Sequence, residues 1–490
     1  MYADLREWLD EVREMGELKE ISEEVSWDEE MGALTYVAAK RGGCPALLFT
    51  KIKGYEPGFK VLFNMLGASI NRVALGLGVD GGAGTIDVIA ATRARLRNRI
   101  PPQEVSADKA PVNQNVYRGK EVDLTKIPVP KMWPGDGGRY LGTADVVITK
   151  DPETGNVNMG TYRQMVQGPQ QVGFYASPGK DAVLHREKWW ARGEPCPVVA
   201  VYGVDPALFM VGSQGFPKNV SEYDYAGGIM QRAVETVKGD VTGLPYPANA
   251  EIVVEGFSYP GKTKPEGPFG EFTGYYGRPL DETPVIDIEC LRHRDDAILT
   301  CALMADHPSS EQNVFFSIIR SARIWDDLEG WGIPGIKGVY SHPAAAGGFG
   351  IVIVSMKQSH AGHASQVLAL TAQCPAAAYY TKWIVAVDED VDPCNMDEVL
   401  WAMSTRCSPV DDIDILRNTW STWLDPTLNP PEERPYGSKA LINACKEHKN
   451  IDIFAERSAI SKEMYENIKS RWHEFGFEGE PFEPSILKDE

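Results

Sequence analysis

The 490 residues predict a mixed α/β and β chain: an N-terminal α/β domain, a central split β-barrel and a C-terminal α/β domain with a terminal helix. Three observations lead there. Helical and strand-like patterns alternate at both ends of the chain, as they do in layered α/β domains. Between them the pattern changes to short strands with hairpin turns, which suits a partly closed barrel with inserted helices. The length calls for two or three domains, and a chain 43% hydrophobic and 24% charged has the balance of a globular protein. The boundaries fall at 1–110, 111–310, 311–455 and 456–490.

The first element is an amphipathic helix, because Leu5, Trp8, Leu9 and Val12 recur at i, i+3, i+4 and i+7. Gly16 is placed to stop it. A second helix spans 29–40. Segments 45–51 and 60–66 read as strands joined by the turn Gly54-Tyr-Glu-Pro57, and helical spacing returns over 70–77 and 85–97. Pro101, Pro102 and Pro111 close this part. Residues 111–116 then lead into a short strand, and strands follow over 141–149, 157–166 and 171–176. Asp151-Pro-Glu-Thr-Gly155 is a hairpin turn between the first two of these. Next come a helix over 181–190, a strand over 198–204 and a capped helix running from Ser221 toward Lys238. Strands 251–258 and 285–291 flank a Pro- and Gly-rich loop. The last third reads as helix 314–324, strand 349–356, helix 360–370, strand 383–387 and helix 396–405. An amphipathic helix over 465–475 lies beyond it, where terminal helices often meet a partner subunit.

Several function classes are excluded. A formal net charge of −20 disfavours nucleic acid, which needs a basic face. The eight cysteines form no CxxC pair, so no zinc ribbon or redox motif is encoded, and reduced cytoplasmic thiols are expected. The N-terminus has no apolar run of a signal peptide, and no window approaches the 18 apolar residues of a membrane span. Gly256-Phe-Ser-Tyr-Pro-Gly-Lys-Thr263 matches a P-loop by letter, but Pro265, Gly267 and Pro268 forbid the helix that must follow. Gly76-Leu-Gly-Val-Asp-Gly81 fits a dinucleotide motif but follows a helix instead of a strand.

The chemistry concentrates in Lys264-Pro-Glu-Gly-Pro-Phe-Gly-Glu-Phe-Thr-Gly-Tyr-Tyr276. Its prolines and glycines rule out a helix or a central strand, so it is expected to be a shaped loop. Glu266 and Glu271 on such a loop suit proton chemistry, or a solvated turn. Asn158-Met-Gly-Thr-Tyr-Arg163 falls on a predicted strand, where a bulge at Gly160 would bring Asn158 and Arg163 to one side. Glu222 and Asp224 head a helix. Glu222 with Asn158 would make a hard-oxygen site for magnesium or manganese, while dipole complementation suffices for Asp224. Asp388, Glu389, Asp390 and Asp392 read as solvated acids at a strand end. Lys382 precedes an apolar strand, exposed or paired with a phosphate. His360 and His363 lack a third ligand for a metal.

Together these residues resemble the UbiD family of prenylated-FMN-dependent (de)carboxylases, nearly end to end. The resemblance rests on Asn158-Met-Gly-Thr-Tyr-Arg163, Asn219-Val-Ser-Glu-Tyr-Asp224, Pro265-Glu-Gly-Pro-Phe-Gly-Glu271, Tyr380-Thr-Lys382 and Trp401-Ala-Met-Ser-Thr-Arg406, in that order. It implies prenylated FMN held through its phosphate by a divalent metal, Mn2+ or Mg2+, with K+. Asn158 and Glu222 match two metal ligands. The third, a histidine in the family, falls here on Asp181. Asp181 is a competent ligand for a hard cation, or Lys180 pairs the phosphate in its stead. Lys382 matches a phosphate-contacting lysine, and the backbone of Met159, Gly160, Thr161 and Tyr162 would line the flavin.

The family's catalytic network maps onto Glu266, Arg163 and Glu271. In this reading ionised Glu271 holds Arg163 as a bidentate partner, while Glu266, with its pKa raised by burial, protonates the carbon vacated by CO2. The expected substrate is a hydroxylated, simple or heteroaromatic acid, with His307, Gln312, Asn313 and His363 as candidate ring contacts. A flavin prenyltransferase would supply the cofactor, and a homodimer or homohexamer is expected. The alternatives are a carboxylase component acting on a phenol, aryl phosphate or aryl-CoA acid, a non-catalytic flavin-binding protein, and an FMN reductase.

Overall fold

The computed structural model describes residues 2–489 apart from 83, 218–219, 278, 429–435 and 485; Asn219 of the sequence motif therefore lies outside the described residues. The chain forms two units. The first comprises Met1–Arg323, Ser341–Gly350 and Ser421–Tyr436, and the second Ile324–Tyr340, Ile351–Trp420 and Gly437–Glu490.

In the first unit, Asp4 caps the opening helix Leu5–Glu14 by accepting from the N–H groups of Arg6 and Glu7, and the helix buries the four expected apolar residues. Helices Ile70–Leu77 and Thr85–Arg97 match their predicted spans. Strands Leu18–Ile21, Ala46–Phe49 and Phe59–Phe63 form a sheet whose fourth strand, Ala297–Cys301, comes from beyond the whole barrel region.

The barrel region is a curled ten-stranded sheet. Its order runs Tyr140–Gly142, Gln164–Gly168, Gln171–Gly173, Asp281–His293, Ile252–Ser258, Cys196–Tyr202, Asp145–Lys150, Val157–Gly160. The long strand Asp281–His293 also pairs with Thr263–Glu266 and Asn115–Arg118. Alternate residues of these strands, among them Val147, Val172, Val198, Val254 and Ile286, fill one apolar core.

Four local expectations are corrected. The run 141–149 is two strands: Ala144 O is diverted to Thr300 Oγ1, and the Thr143 hydroxyl accepts from Ala302 N. The run 157–166 is also broken, after Gly160, where Thr161 N donates to Gly212 O. The helix after Ser221 ends at Met230, where Gln231 turns left-handed (φ 54°), and the chain returns as strand Glu235–Lys238. Residues 263–266 of the proposed loop pair with 281–284 as an extra strand, and that edge position tolerates Pro265.

In the second unit, strands run in the order Ile336–Ser341, Ile351–Met356, Trp383–Asp388, Tyr436–Ala444, Ile413–Trp420. Helix Met396–Arg406 buries Val399 and Ala402 against Val385, Val387 and Ile442. The acids at 388–392 are not all solvated. Asp388 accepts from Arg406 Nη1 (3.0 Å) and Lys446 N (2.6 Å), and Asp390 takes both Nη atoms of Arg406. The terminal helix is Lys462–Ser470, continued by a 3₁₀ turn, Trp472–Phe475. Among the described residues no helix is long and apolar enough to cross a membrane.

Candidate active site

The strand break at 161–163 frees Arg163 from the ladder, and the edge strand ends on Glu266. Their side chains meet. Arg163 donates from Nε to Glu266 Oε1 (3.0 Å), from Nη2 to Glu266 Oε2 (2.8 Å) and from Nη1 to Glu271 Oε1 (2.8 Å). The bidentate partner is thus Glu266, where sequence reasoning expects Glu271. Glu266 and Glu271 are 2% and 6% exposed, so one cation lies between two carboxylates with almost no water to screen them.

Aromatic rings close the arrangement. Tyr175 lies 4.0 Å and Phe269 5.4 Å from the guanidinium carbon. Tyr140 Oη donates to Glu266 Oε1 (2.9 Å), and its ring packs on Phe269. Sequence reasoning misses Tyr140, Tyr175 and Phe269 as site residues. Tyr140 opens a three-residue strand and carries no motif; only its tertiary position makes it a partner of Glu266.

The loop after Glu266 is fixed from segment 132–137. Asp136 accepts from the N–H groups of Met132, Trp133 and Gly270, and Gly137 N donates to Pro268 O (2.8 Å). A Cβ on Gly137 would fall 2.0 Å from Gly267 O, so only glycine allows this approach.

The charges respond to burial. Burial works against the Arg163 charge, but Glu266 and Glu271 more than offset it and hold the guanidinium firmly protonated. Burial pushes Glu271 up to about 7 against the pull of Arg163, and Glu266 adds repulsion in the same direction as burial. Burial also raises the Tyr140 phenol, and neighbouring Glu266 adds to the shift. Glu271, expected from the sequence to be the ionised partner, is thus the acid that burial pushes toward its protonated form.

A second constellation lies at a cavity of about 490 Å³, lined by Asn158, Asp181, His185 and Glu222 among others. Asn158, Met159 and Gly160 sit on strand Val157–Gly160. Asp181 and Glu222 are the first residues of helices Asp181–Ala191 and Glu222–Met230. Glu222 Oε2 accepts from Met159 N (2.8 Å), and Asn158 Nδ2 is buried without a hydrogen-bond partner. Burial raises Glu222 to about 7, with repulsion from Asp181 and Asp224. Two acids and an amide around one cavity suit a hard cation, which would relieve that repulsion. The two helix N-termini favour an anion such as phosphate beside it. Tyr162 is buried near both acids. Burial lowers Lys180, with Asp181 opposing and Arg323 adding to the shift. His185, which sequence reasoning overlooks, lies one turn after Asp181 with Nδ1 2.9 Å from Thr149 Oγ1.

The ring-contact candidates fall in both units. His307 Nδ1 is 2.9 Å from Asn313 Oδ1, Asn313 Nδ2 donates to Pro308 O and Gln312 Nε2 to Gly347 O. Much of their polarity is spent on holding segment 307–313. His363 and Lys382 belong to the second unit. His363 is fully buried, its Nδ1 accepts from Ser359 N and its ring stacks on His360. With Nδ1 accepting, Nε2 carries the proton, so neither nitrogen offers a metal a lone pair.

Comparison with known proteins gives the family. Three domain descriptions of 3-octaprenyl-4-hydroxybenzoate carboxy-lyase (UbiD) match in sequence: the N-terminal domain over 9–92, the Rift-related domain over 103–307 and the C-terminal domain over 313–444. By class, the protein is therefore a carboxy-lyase. A phenolic acid decarboxylase from Sedimentibacter hydroxybenzoicus is 33% identical over 442 residues, covering 88% of this chain and 89% of the relative. The closed form of the vanillic acid decarboxylase ShVdcCD from the same organism superposes with a TM-score of 0.86 at 30% identity, covering 98% of this chain and all of the other. An evolved dimeric form of HmfF from Pelotomaculum thermopropionicum, solved with prFMN, gives 0.79 at 27%, covering 93% and 97%. The chain belongs to the UbiD family.

Proposed function

We propose that this enzyme decarboxylates a hydroxylated or heteroaromatic carboxylic acid with prenylated FMN, and that Glu266 delivers the proton that replaces CO2. The observation that carries this reading is the buried Arg163 held between Glu266 and Glu271. Arg163 with two carboxylates has a net charge of −1. One added proton makes the group neutral, and Arg163 can then receive a substrate carboxylate. A protonated Glu266 must give up one of its two bonds from Arg163, which turns its O–H toward the substrate carbon. Glu271 keeps its bond to Arg163 Nη1 and so holds the guanidinium in place. Tyr140 steadies the Glu266 oxygen that remains an acceptor. Bound prenylated FMN supplies the electron sink for the pair left as CO2 departs.

Asn158, Glu222 and Asp181 would hold Mn2+ or Mg2+, with K+ as a further cation, at the cofactor phosphate, and Lys180 would add charge to it. The backbone of Met159–Tyr162 would border the flavin. His307, Gln312 and Asn313 stand as candidate ring contacts, whereas His363 is fully buried and takes no such role. A flavin prenyltransferase would provide the cofactor, and cytoplasmic homo-oligomers would be the working form. A companion polypeptide is a second reading, favoured by the related vanillic acid decarboxylase, one of whose structures contains a truncated ShVdcD.

The test is the mass and absorption spectrum of the bound cofactor, followed by a screen of aromatic acids for CO2 release. Prenylated FMN with turnover of a phenolic acid is expected. Turnover with plain FMN alone, in cells lacking a prenyltransferase, would overturn the cofactor assignment. If the loaded single chain is inactive but gains activity with a companion polypeptide, the second reading holds.

A further inference from the structure

A separate cavity of about 370 Å³ lies beside the catalytic loop, and Glu271 lines it too. It shares no lining residue with the Asn158–Asp181–Glu222 corner. Its walls are aromatic: Tyr36, Trp133, Tyr275 and Tyr276. They are built rather than incidental. Tyr36 meets Trp133 edge to face at 5.4 Å, Trp133 Nε1 donates to Met304 O (3.2 Å), and Tyr276 Oη accepts from Gly135 N (2.8 Å). Tyr275 is 63% exposed, which leaves a mouth.

The charged side chains that line this cavity have one sign. Among the described lining residues the only ionisable side chains besides tyrosine are Glu271 and Asp306. Lys40, at the rim, is committed to Asp306 Oδ2 and His307 O, both at 2.7 Å. A planar ring would fit these walls, but an aromatic carboxylate would meet the two lining acids, whose cations Arg163 and Lys40 are already engaged with them. A phenol carries no such charge, and its O–H can donate to Glu271.

We propose that this pocket binds the uncharged phenolic product after CO2 has left, and that it lies on the path by which the product departs. The proposal rests on the decarboxylase reading above. Loss of CO2 converts an anion suited to Arg163 into a neutral ring suited to this pocket, so the two sites sort substrate from product by charge.

The test is fluorine NMR on the cofactor-loaded enzyme titrated with 4-fluorophenol and, separately, 4-fluorobenzoate. Tyr36→Ala removes one half-buried wall, and Tyr36→Phe keeps the ring and controls for lost core packing. Saturable 4-fluorophenol binding is expected, weakened roughly tenfold by Tyr36→Ala and restored by Tyr36→Phe, as loss of an aromatic contact predicts. Inhibition of turnover by added phenol should weaken by the same factor. Phenol affinity indifferent to Tyr36→Ala would overturn the proposal, and so would 4-fluorobenzoate binding with the same dependence on Tyr36. If 4-fluorophenol binds as described but no aromatic acid releases CO2, the pocket stands as a phenol site and the decarboxylase reading fails.

Discussion

Replacing Glu266 by Gln tests the proton-donor role most directly. The wild-type carboxylate accepts three hydrogen bonds, two from Arg163 and one from Tyr140. Gln keeps the shape but offers one oxygen, so its NH2 group must face one of these donors. A buried polar group left unpaired costs about 1–3 kcal/mol of stability. Arg163 still has Glu271, so the site should persist. Asn158, Asp181 and Glu222 are untouched, and cofactor and metal retention should not change. What disappears is the acid. Positioned general acids contribute roughly 10²–10⁴ in rate, or about 3–5 kcal/mol of barrier. CO2 release should fall by that factor, and in D2O the product should lose its enzyme-catalysed ring deuteration. The assay is headspace CO2 with mass spectrometry of the product at matched cofactor occupancy. Turnover within about twofold of wild type would remove Glu266 as the donor, and a variant that loses its cofactor would mean Glu266 is structural.

Tyr140→Phe removes one hydrogen bond to Glu266 while keeping the ring against Phe269; a net loss of about 1 kcal/mol, or roughly fivefold in kcat, is expected, readable in steady-state kinetics. Asp181→Ala should reduce metal content measured by elemental analysis and speed cofactor loss on gel filtration; full retention would assign that task to Lys180 or to water. Glu271→Gln should change the pH dependence of stability in the ligand-free protein. The folded pKa of Glu271, about 7, lies above the usual value near 4.5, so between these values the unfolded chain releases its proton first. Wild-type stability should therefore fall as pH rises through that window, by about 3 kcal/mol in all, and the Gln variant should lack that contribution in urea titrations at each pH.

Much of the fold is legible locally. Helices Ile70–Leu77 and Thr85–Arg97 follow their apolar spacing and end where predicted, because a helix satisfies its hydrogen bonds within its own segment. The barrel strands are less legible. Each carries a convincing strand pattern through residues 143–144 and 161–163, yet Thr300 and Gly212, elsewhere in the chain, take backbone groups there, and Ala302 takes the Thr143 hydroxyl. Likewise, the final strand of the N-terminal sheet arrives from 297–301, a pairing that no window of sequence contains.

The site divides in the same way. Arg163 is 103 residues from Glu266 and 108 from Glu271, so no spacing rule joins them; resemblance to a family names all three, and the strand break puts them in reach. Tyr140 has no signal of its own. By itself the sequence determined the family, and through it the class of chemistry, because the motifs that carry the resemblance are runs of neighbouring residues in the chain. The tertiary structure alone decided that Glu266 takes the fork of Arg163, that Glu271 is pushed up to about 7, and that an aromatic cavity lined by two acids lies beside it. Burial, charge proximity and cavity shape exist only once distant segments have met.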